Sequence, residues 1–497
     1  MKNSFPFAKI ALGALIVLAA AAGAYLAFKP DRPLNVILIS IDTLRPDRMG
    51  LFGHRPNNRS TTPFVDKLAE GGVSFTNAVS STSWTLPAHY ALLTGVPDRI
   101  HGVIHDHAPR PTTLPMLAEI FGESGYRTAG FFSGTYLNSF FGFNRGFDIY
   151  VGARTMMGAN TAQTAKDFRA AEVVTSQKVS ESAMNFVREN GSEPFFLFLH
   201  YFDVHNEYLP PSPYDSLYGR PYSGWVDGKG VTSDSRFNPR MARADLDRLR
   251  ALYDGEIGWV DSNIGRLFNQ IESFSPGLLD NTLVVITSDH GEEFFEHGEI
   301  CHQNNLHEVS VRIPLIMSCP AKIGGGKKID TPVRIYDIAP TLLDYAGLEI
   351  PDVMEGESLR PSIDNGETES RPALIELSQI SKETGYTQHF ALRLGDYKLI
   401  VIEEREWSKD KPYDLSGAVI GKRHALYDLS VDPGEKNDLA TQKREIAARM
   451  ITTLESLLEE SERKRAAFQS ASAAREGAIP DDLKESLRGL GYGGGGH

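Results

Sequence analysis

Apolar positions along this chain fall into two kinds of run. The segments NVILISI (Asn35–Ile41), FFLFLHY (Phe195–Tyr201) and TLVVITS (282–288) are continuous, with no polar alternation. Such runs predict strands buried on both faces. Between them, residues 62–70, 114–124, 171–189 and 242–273 carry helical patterns. Strands alternating with helices predict an α/β fold: a mostly parallel sheet sandwiched by helices. Ligands of such sheets bind beyond the carboxyl ends of the strands, so chemistry is expected just after each apolar run.

The second kind of run is a single stretch from Ile10 to Phe28, apolar or small throughout, behind Lys2 and Lys9. As a helix it rises about 28 Å, close to the hydrocarbon thickness of a bilayer. An N-terminal membrane anchor is favoured over a cleaved signal, for which Ala20, Ala22 and Ala24 offer small-residue cleavage patterns. The leading lysines place the N-terminus in the cytoplasm and the remainder in the periplasm or outside the cell, or secreted if the segment is cleaved. Residues 209–240, rich in Pro, Gly, Ser and Tyr, read as a lid over the site. A polar stretch at 361–371 marks a boundary. Beyond it, FALRLG, YKLIVI and HALYDL predict a small C-terminal α+β domain with an antiparallel sheet, and 442–473 a charged, solvated helix. The expected organisation is 1–32 anchor or signal, 33–365 catalytic domain, 366–475 C-terminal subdomain and 476–497 flexible tail.

Composition narrows the chemistry. The 497 residues carry a net charge of −13, which argues against a nucleic-acid partner. Only two cysteines occur, Cys301 and Cys319. That excludes a disulfide scaffold or a Cys-rich zinc module and argues against a thiol nucleophile; buried thiols are expected.

Four clusters stand where the sheet should bind ligands. Asp42 follows the first run, in SIDTLRPD with Arg45 and Asp47; a strand-end Asp taken alone is more often a turn or cap residue than a metal ligand. Asp289 and His290 follow TLVVITS and together suit one divalent cation through carboxylate oxygen and imidazole nitrogen. Thr85, in SWTLPAHYALLTG, sits at the start of a predicted helix, where backbone N–H groups favour an anion; the plain alternative is an N-cap. The fourth set is His200, Asp203 and His205 after FFLFLHY, with His302, His307, Glu308 and Arg312 further on. Several histidines at separate strand ends on one face point to a site more than to structural residues.

Together these segments resemble the sulfatase-like family of the alkaline phosphatase superfamily. NVILISIDTLRPD is similar to the family's first metal-binding segment, TLPAHYALLTG to its nucleophile segment and ITSDHGEEFFEHG to its second metal-binding segment. HEVSVRIPLIM, VRIYDIAPTLLDYAGL, GDYKLI and ALYDLSVDPGEKNDLA follow in the family's order. The resemblance implies an alkaline-phosphatase-like fold with Asp42, Asp289 and His290 as metal ligands and Thr85 as the nucleophile on the same metal. It implies that His205 and His302 act on the substrate oxyanion or leaving group, or complete a second metal site. Arg45, His89 and Asp203 are expected to bind substrate, and Lys398 to be structural. The mixed O/N ligands favour Zn²⁺ or Mn²⁺ ahead of Ca²⁺.

One departure bears on the substrate. Typical members carry Cys or Ser where Thr85 stands and oxidise it to an aldehyde (formylglycine), a maturation that also expects Arg at His89 and commonly Ser at Ala88. No formylglycine is expected here, and relatives that use Thr directly work mainly on phosphorus. The expected activity is metal-dependent hydrolysis of phosphate or phosphonate (di)esters, or of sulfate esters, through direct attack by Thr85 and a covalent intermediate. The substrate is expected to be a small-molecule, lipid or glycan ester. A sulfuric ester hydrolase with unmodified Thr85, a phosphoryl-group transferase and an inactive binding module stand as alternatives.

Overall fold

The computed structural model describes residues 32–156, 175–367, 369–381, 385–407, 417–471 and 479–489. The anchor or signal expected at 10–28 lies outside them. Among the described residues no helix is long and apolar enough to cross a membrane.

The three apolar runs form the middle of the larger sheet. Its strands are β1 (Asn35–Ile41), β2 (Val73–Val79), β3 (Arg127–Phe132), β4 (Ile149–Gly152), β5 (Phe195–Tyr201) and β6 (Thr282–Thr287), followed by β9 (Arg312–Ser318), β10 (Lys327–Ile329) and β11 (Val333–Arg334). A short hairpin, β7 (Glu293–Phe294) with β8 (Ile300–Cys301), intervenes. The order is β10-β2-β9-β6-β1-β5-β3-β4, with β11 beside β2. β1 pairs in parallel with β5 on one side and β6 on the other, and among the described strands of this sheet only β9 runs against both its neighbours.

The reason for an unbroken apolar run is visible at β1. Val36 and Leu38 point into one core, with Leu86, Leu92 and Leu342. Ile37, Ile39 and Ile41 point into the other, with Val65, Val179, Ile257 and Ile264. Helices Thr85–Thr94 and Ile338–Ala346 cover the first face, and Pro63–Glu70, Ser176–Asn190 and Arg243–Phe274 the second. With both faces covered, no position on the strand can be polar without a partner. Both polar residues of β1 have partners: Ser40 meets His89 Nε2 (3.0 Å), and the Asn35 side chain donates to Thr282 Oγ1 (3.4 Å) and accepts from Phe195 N–H (3.4 Å).

The C-terminal part is a four-stranded antiparallel sheet, β12 (Ala373–Ser381), β13 (Gly385–Leu394), β14 (Tyr397–Arg405) and β15 (Val419–Asp428), within one compact unit with the described residues from Leu34 onward. Three expectations change here. Helix Arg444–Ala471 is not solvated all round: Ala447, Met450 and Leu454 are buried against Leu392, Leu399 and Leu426 of the sheet. The tail expected to be flexible contains helix Asp481–Gly489, whose Leu483 and Leu487 are buried in the main core. The segment expected to form a lid is tied along the long helix Arg243–Phe274: Tyr222 and Trp225 both donate to Asp245 (2.6 and 2.9 Å), and Val226, Val231 and Phe237 are buried. Cys301 and Cys319 are buried, unbridged thiols, as expected.

Lys398, expected to be structural, sits at the seam between the sheets and is fully buried. Its ammonium lies 2.9 Å from Glu308 and 3.0 Å from Glu435, while Arg393 donates to the other oxygen of Glu308 (3.2 Å). Removing one partner from a buried ion network leaves an uncompensated charge, which costs about 3–5 kcal/mol. Lys398→Met is therefore expected to lose about that much stability in denaturant unfolding; a loss below about 1 kcal/mol would contradict the network's role. Burial works to raise the Glu435 carboxyl, but Lys398 and His307 outweigh it and hold the group at about 2. A carboxylate depressed in the folded state contributes stability above its unfolded value of about 4.3, lost as pH falls toward 2. The melting temperature should fall over that window, and Glu435→Gln, which takes up no proton, should flatten the fall.

Candidate active site

The central strand trio β6-β1-β5 delivers the chemistry. Asp42 follows β1 and is pinned by its N–H to Tyr201 O (2.9 Å). Asp289 and His290 follow β6, and His200 lies in β5, opposite Ser40 of β1. Thr85 is the first residue of helix Thr85–Thr94, all ten residues of which are buried. A helix apolar on every side belongs in a core, and this one drives its N-terminus against the strand ends. Thr85 Oγ1 stands 3.3 Å from His290 Nε2. That nitrogen is 3.3 Å from Asp289 Oδ2 and 3.8 Å from Asp42 Oδ1.

Two sets of side chains here converge closely enough to hold a cation: Asp42, Asp289 and His290, or His89, His200 and Asp289. Hydrogen bonds decide between them, because an imidazole ligates only through its unprotonated nitrogen. His290 Nδ1 donates to Gly291 O (2.9 Å), which leaves the Nε2 lone pair facing Thr85. His89 Nδ1, the atom 3.6 Å from Asp289, donates instead to Thr85 O (2.9 Å), and its Nε2 accepts from the Ser40 hydroxyl (3.0 Å). His200 Nδ1 accepts from Gly134 N–H (3.3 Å), so the proton of the neutral ring is on Nε2, 3.3 Å from Asp42. Only the first set presents unprotonated donors. Asp42 Oδ1 and Oδ2 and Asp289 Oδ2 are buried without a hydrogen-bond partner, which fits a cation there.

The electrostatics agree. Burial and the neighbouring Asp289 push Asp42 well above the usual carboxylate range. Burial also works to raise Asp289, but His290, His89 and His200 outweigh it and hold it at about 2. Burial drives His89 down to about 3, His200 to about 4 and His205 to about 3. Two carboxylates whose oxygens lie within 4.8 Å of each other away from water need a positive partner. Burial works to lower His290, but Asp289 and Asp42 outweigh it and raise the ring; the depressed rings of His89, His200 and His205 do not supply the charge.

Of the expected substrate contacts, His205 and His302 are gathered at the site; their ring centroids are 4.8 Å apart, and His302 lies 4.5 Å from the His290 ring. The structure gives the other three different work. Arg45 forks onto Asp47 (2.9 and 2.8 Å) and bonds Glu292 O (2.7 Å) and Glu296 Oε1 (3.0 Å), so its guanidinium holds the loop after β6. His89 is fully buried beneath the helix turn and fixes the Thr85 backbone. Asp203 caps helix Ser176–Asn190: its oxygens accept from Thr175 N–H and Oγ1, from Ser176 N–H and from Trp259 Nε1, at 2.6–3.1 Å.

Sequence reasoning missed Glu292 and Tyr208. Glu292 accepts from His302 Nδ1 (2.9 Å) and from the Tyr208 hydroxyl (2.9 Å). Its place two residues after His290 was the available signal. Burial raises its carboxyl to about 7.

The family model described as "Sulfatase" matches residues 34–348, and one described as "N-sulphoglucosamine sulphohydrolase, C-terminal" matches residues 296–464. An arylsulfatase of Clostridium perfringens is 26% identical over 385 residues, covering 66% of this chain and 78% of its own. An N-acetylglucosamine-6-O-sulfatase of Bacteroides thetaiotaomicron is 23% identical, covering 86% of each chain. The crystal structure of a phosphonate monoester hydrolase of Agrobacterium radiobacter superposes with a TM-score of 0.67 at 22% identity, covering 89% of this chain and 97% of its own. The likeness shows a shared alkaline-phosphatase-like fold.

Outer partners that orient a reactive imidazole typically matter by about 10–100-fold. Glu292→Gln is expected to lower kcat/KM by about that factor with metal content unchanged, checked by steady-state kinetics beside metal analysis. Unaltered kinetics would show that the Glu292–His302 contact does not matter for turnover.

Proposed function

The chain belongs to the sulfatase family, and from that premise we propose that it is a metal-dependent ester hydrolase whose nucleophile is the unmodified hydroxyl of Thr85. The observation that carries this reading is the 3.3 Å approach of Thr85 Oγ1 to His290 Nε2, beside the carboxylates of Asp42 and Asp289. When bound by Asp42, Asp289 and His290, a divalent cation would lower the pKa of the Thr85 hydroxyl and neutralise oxygens of the ester.

The chain's own groups do the rest. Gly291 O fixes the His290 tautomer, and His89 fixes the backbone from which Thr85 reaches out. The free N–H groups at the start of helix Thr85–Thr94, to which Pro87 contributes none, would stabilise oxygens of the attacked group. His302, its Nδ1–H held by Glu292, lies ring to ring 4.5 Å from His290 and takes part in proton transfer at the ester. The proton of the attacking oxygen is carried to the leaving oxygen, and Glu292 steadies the positive charge that His302 bears on the way. His205, held neutral, donates Nδ1–H to Asn206 O (2.7 Å) and lies beside His302. Thr85 carries the covalent intermediate, and water releases the product.

Charge favours singly charged esters. Asp42 and Asp289 would balance one divalent cation, His205 and His302 are neutral, and Arg45 is committed to Asp47 and Glu296. A phosphodiester, a phosphonate monoester and a sulfate ester each carry one negative charge; a phosphate monoester carries two. A threonine that cannot become the aldehyde favours phosphorus. Sulfate esters are the second reading, supported by the arylsulfatase and N-acetylglucosamine-6-O-sulfatase relatives.

The test is a panel of aryl sulfate, phosphate monoester, phosphodiester and phosphonate monoester on metal-loaded protein, with Thr85→Ala and Thr85→Ser. Thr85→Ala is expected to lose roughly 10³-fold or more in kcat on the preferred singly charged ester, while Thr85→Ser retains measurable turnover. Wild-type turnover by Thr85→Ala on every substrate would overturn the proposal.

A further inference from the structure

A third convergent group lies away from Thr85, at the seam between the catalytic sheet and the C-terminal sheet. His297 lies in the turn of the β7–β8 hairpin, His307 precedes the short helix Glu308–Val311, and Glu435 lies in the loop after β15. Their nitrogen and carboxylate ligand atoms all lie within 4.8 Å of one another.

The two imidazoles are stacked face to face, with centroids 3.5 Å apart and planes within 1°. Aromatic pairs packed for their own sake prefer offset or edge-on arrangements with centroids about 4.5–7 Å apart. A direct sandwich of two rings that both carry lone pairs needs another cause. Burial and the neighbouring His307 bring His297 down to about 4. Glu435 is held ionised by Lys398 and His307 in spite of its burial. His307 Nδ1 is 3.3 Å from Glu435 Oε2 yet makes no hydrogen bond, and it is buried.

The backbone around the pair is braced. The Glu293 carboxylate accepts from His297 N–H (2.6 Å) and from Asn305 Nδ2 (2.5 Å), and Asn305 Oδ1 accepts from His307 N–H (3.0 Å). Glu308 N–H donates to Glu435 Oε2 (2.5 Å). The positive groups nearby are already matched: Lys398 and Arg393 pair with Glu308 and Glu435, and the Lys436 ammonium donates to Glu296 O.

We propose that His297, His307 and Glu435 form a second metal site, structural in role and separate from Asp42, Asp289 and His290. Two imidazoles and one carboxylate suit Zn²⁺ or a similar transition metal, and not Mg²⁺ or Ca²⁺. Donors around a tetrahedral ion with bonds of about 2.1 Å stand about 3.4 Å apart. Small rotations of the two partly exposed rings close the remaining distance. The ion would clamp the loop that carries His302 to the C-terminal sheet.

Zinc per full chain, measured by elemental analysis after equilibrium dialysis against Zn²⁺, tests the proposal. Wild type is expected to hold about two ions, and His297→Ala/His307→Ala and Asp42→Asn/Asp289→Asn about one each. The histidine variant should lose the part of the zinc-dependent rise in melting temperature that the carboxylate variant retains. Should the double histidine variant fail to fold, His297→Gln, on a partly exposed ring, should weaken the second equivalent at least tenfold with circular dichroism unchanged. A histidine variant that binds as much zinc as wild type, or a carboxylate variant that binds none while folded, would overturn the proposal.

Discussion

Two carboxylates share one water-free point at the ends of adjacent strands, and the rest of the site is arranged around that fact. Asp42 and Asp289 are fully buried, and Asp42 has no hydrogen-bond partner on either oxygen. Such a pair would be severely unfavourable unless a positive species joins it. The β1–β6 pairing makes the meeting unavoidable, since it sets Ser40 beside Thr287 and so carries the following residues of both strands to the same place. His290, the third donor, arrives with Asp289, and the buried helix Thr85–Thr94 delivers a hydroxyl to it.

The loops above this point are held by residues that never need to meet a substrate. Arg45 clasps the loop after β6 through Glu292 O and Glu296, and Tyr208 and Glu292 together set the His302 ring. The C-terminal sheet also reaches inward. Glu376 N–H donates to Ser81 O (2.8 Å), four residues before Thr85, and Gln379 Nε2 donates to Gln303 O (2.6 Å), next to His302. The seam with Lys398 at its centre therefore secures the same loops that carry the chemistry, so stability of the small sheet and order at the site are physically linked.

Much of this was legible in the sequence. Strands buried on both faces leave unbroken apolar runs, so β1, β5 and β6 were identifiable, and the residues right after them, Asp42, Asp289 and His290, could be read as a cation site. Thr85 was legible because Pro87 and the apolar stretch behind it mark a helix start. The structural hydrogen bonds of Arg45, His89 and Asp203 were not legible, because a polar side chain at a strand end looks the same whether it faces a ligand or a neighbouring loop. Asp203 is used up by a helix start 28 residues earlier in the chain, and Glu292 gains its meaning from Tyr208, 84 residues away. The apolar spacing Ala447, Met450, Leu454 was present in the sequence, but its many charged neighbours hid a face that packs on the C-terminal sheet.

The central claim is that Thr85 itself, chemically unaltered, takes up the group from the ester. Mass spectrometry of the peptide containing Thr85 tests it directly, before substrate and after rapid acid quench during turnover. The expected result is unmodified threonine before substrate and one phosphoryl or sulfuryl group on Thr85 after quench, absent when Asp289→Asn is treated alike. An oxidised residue 85 before substrate, or an adduct confined to any other side chain, would contradict it.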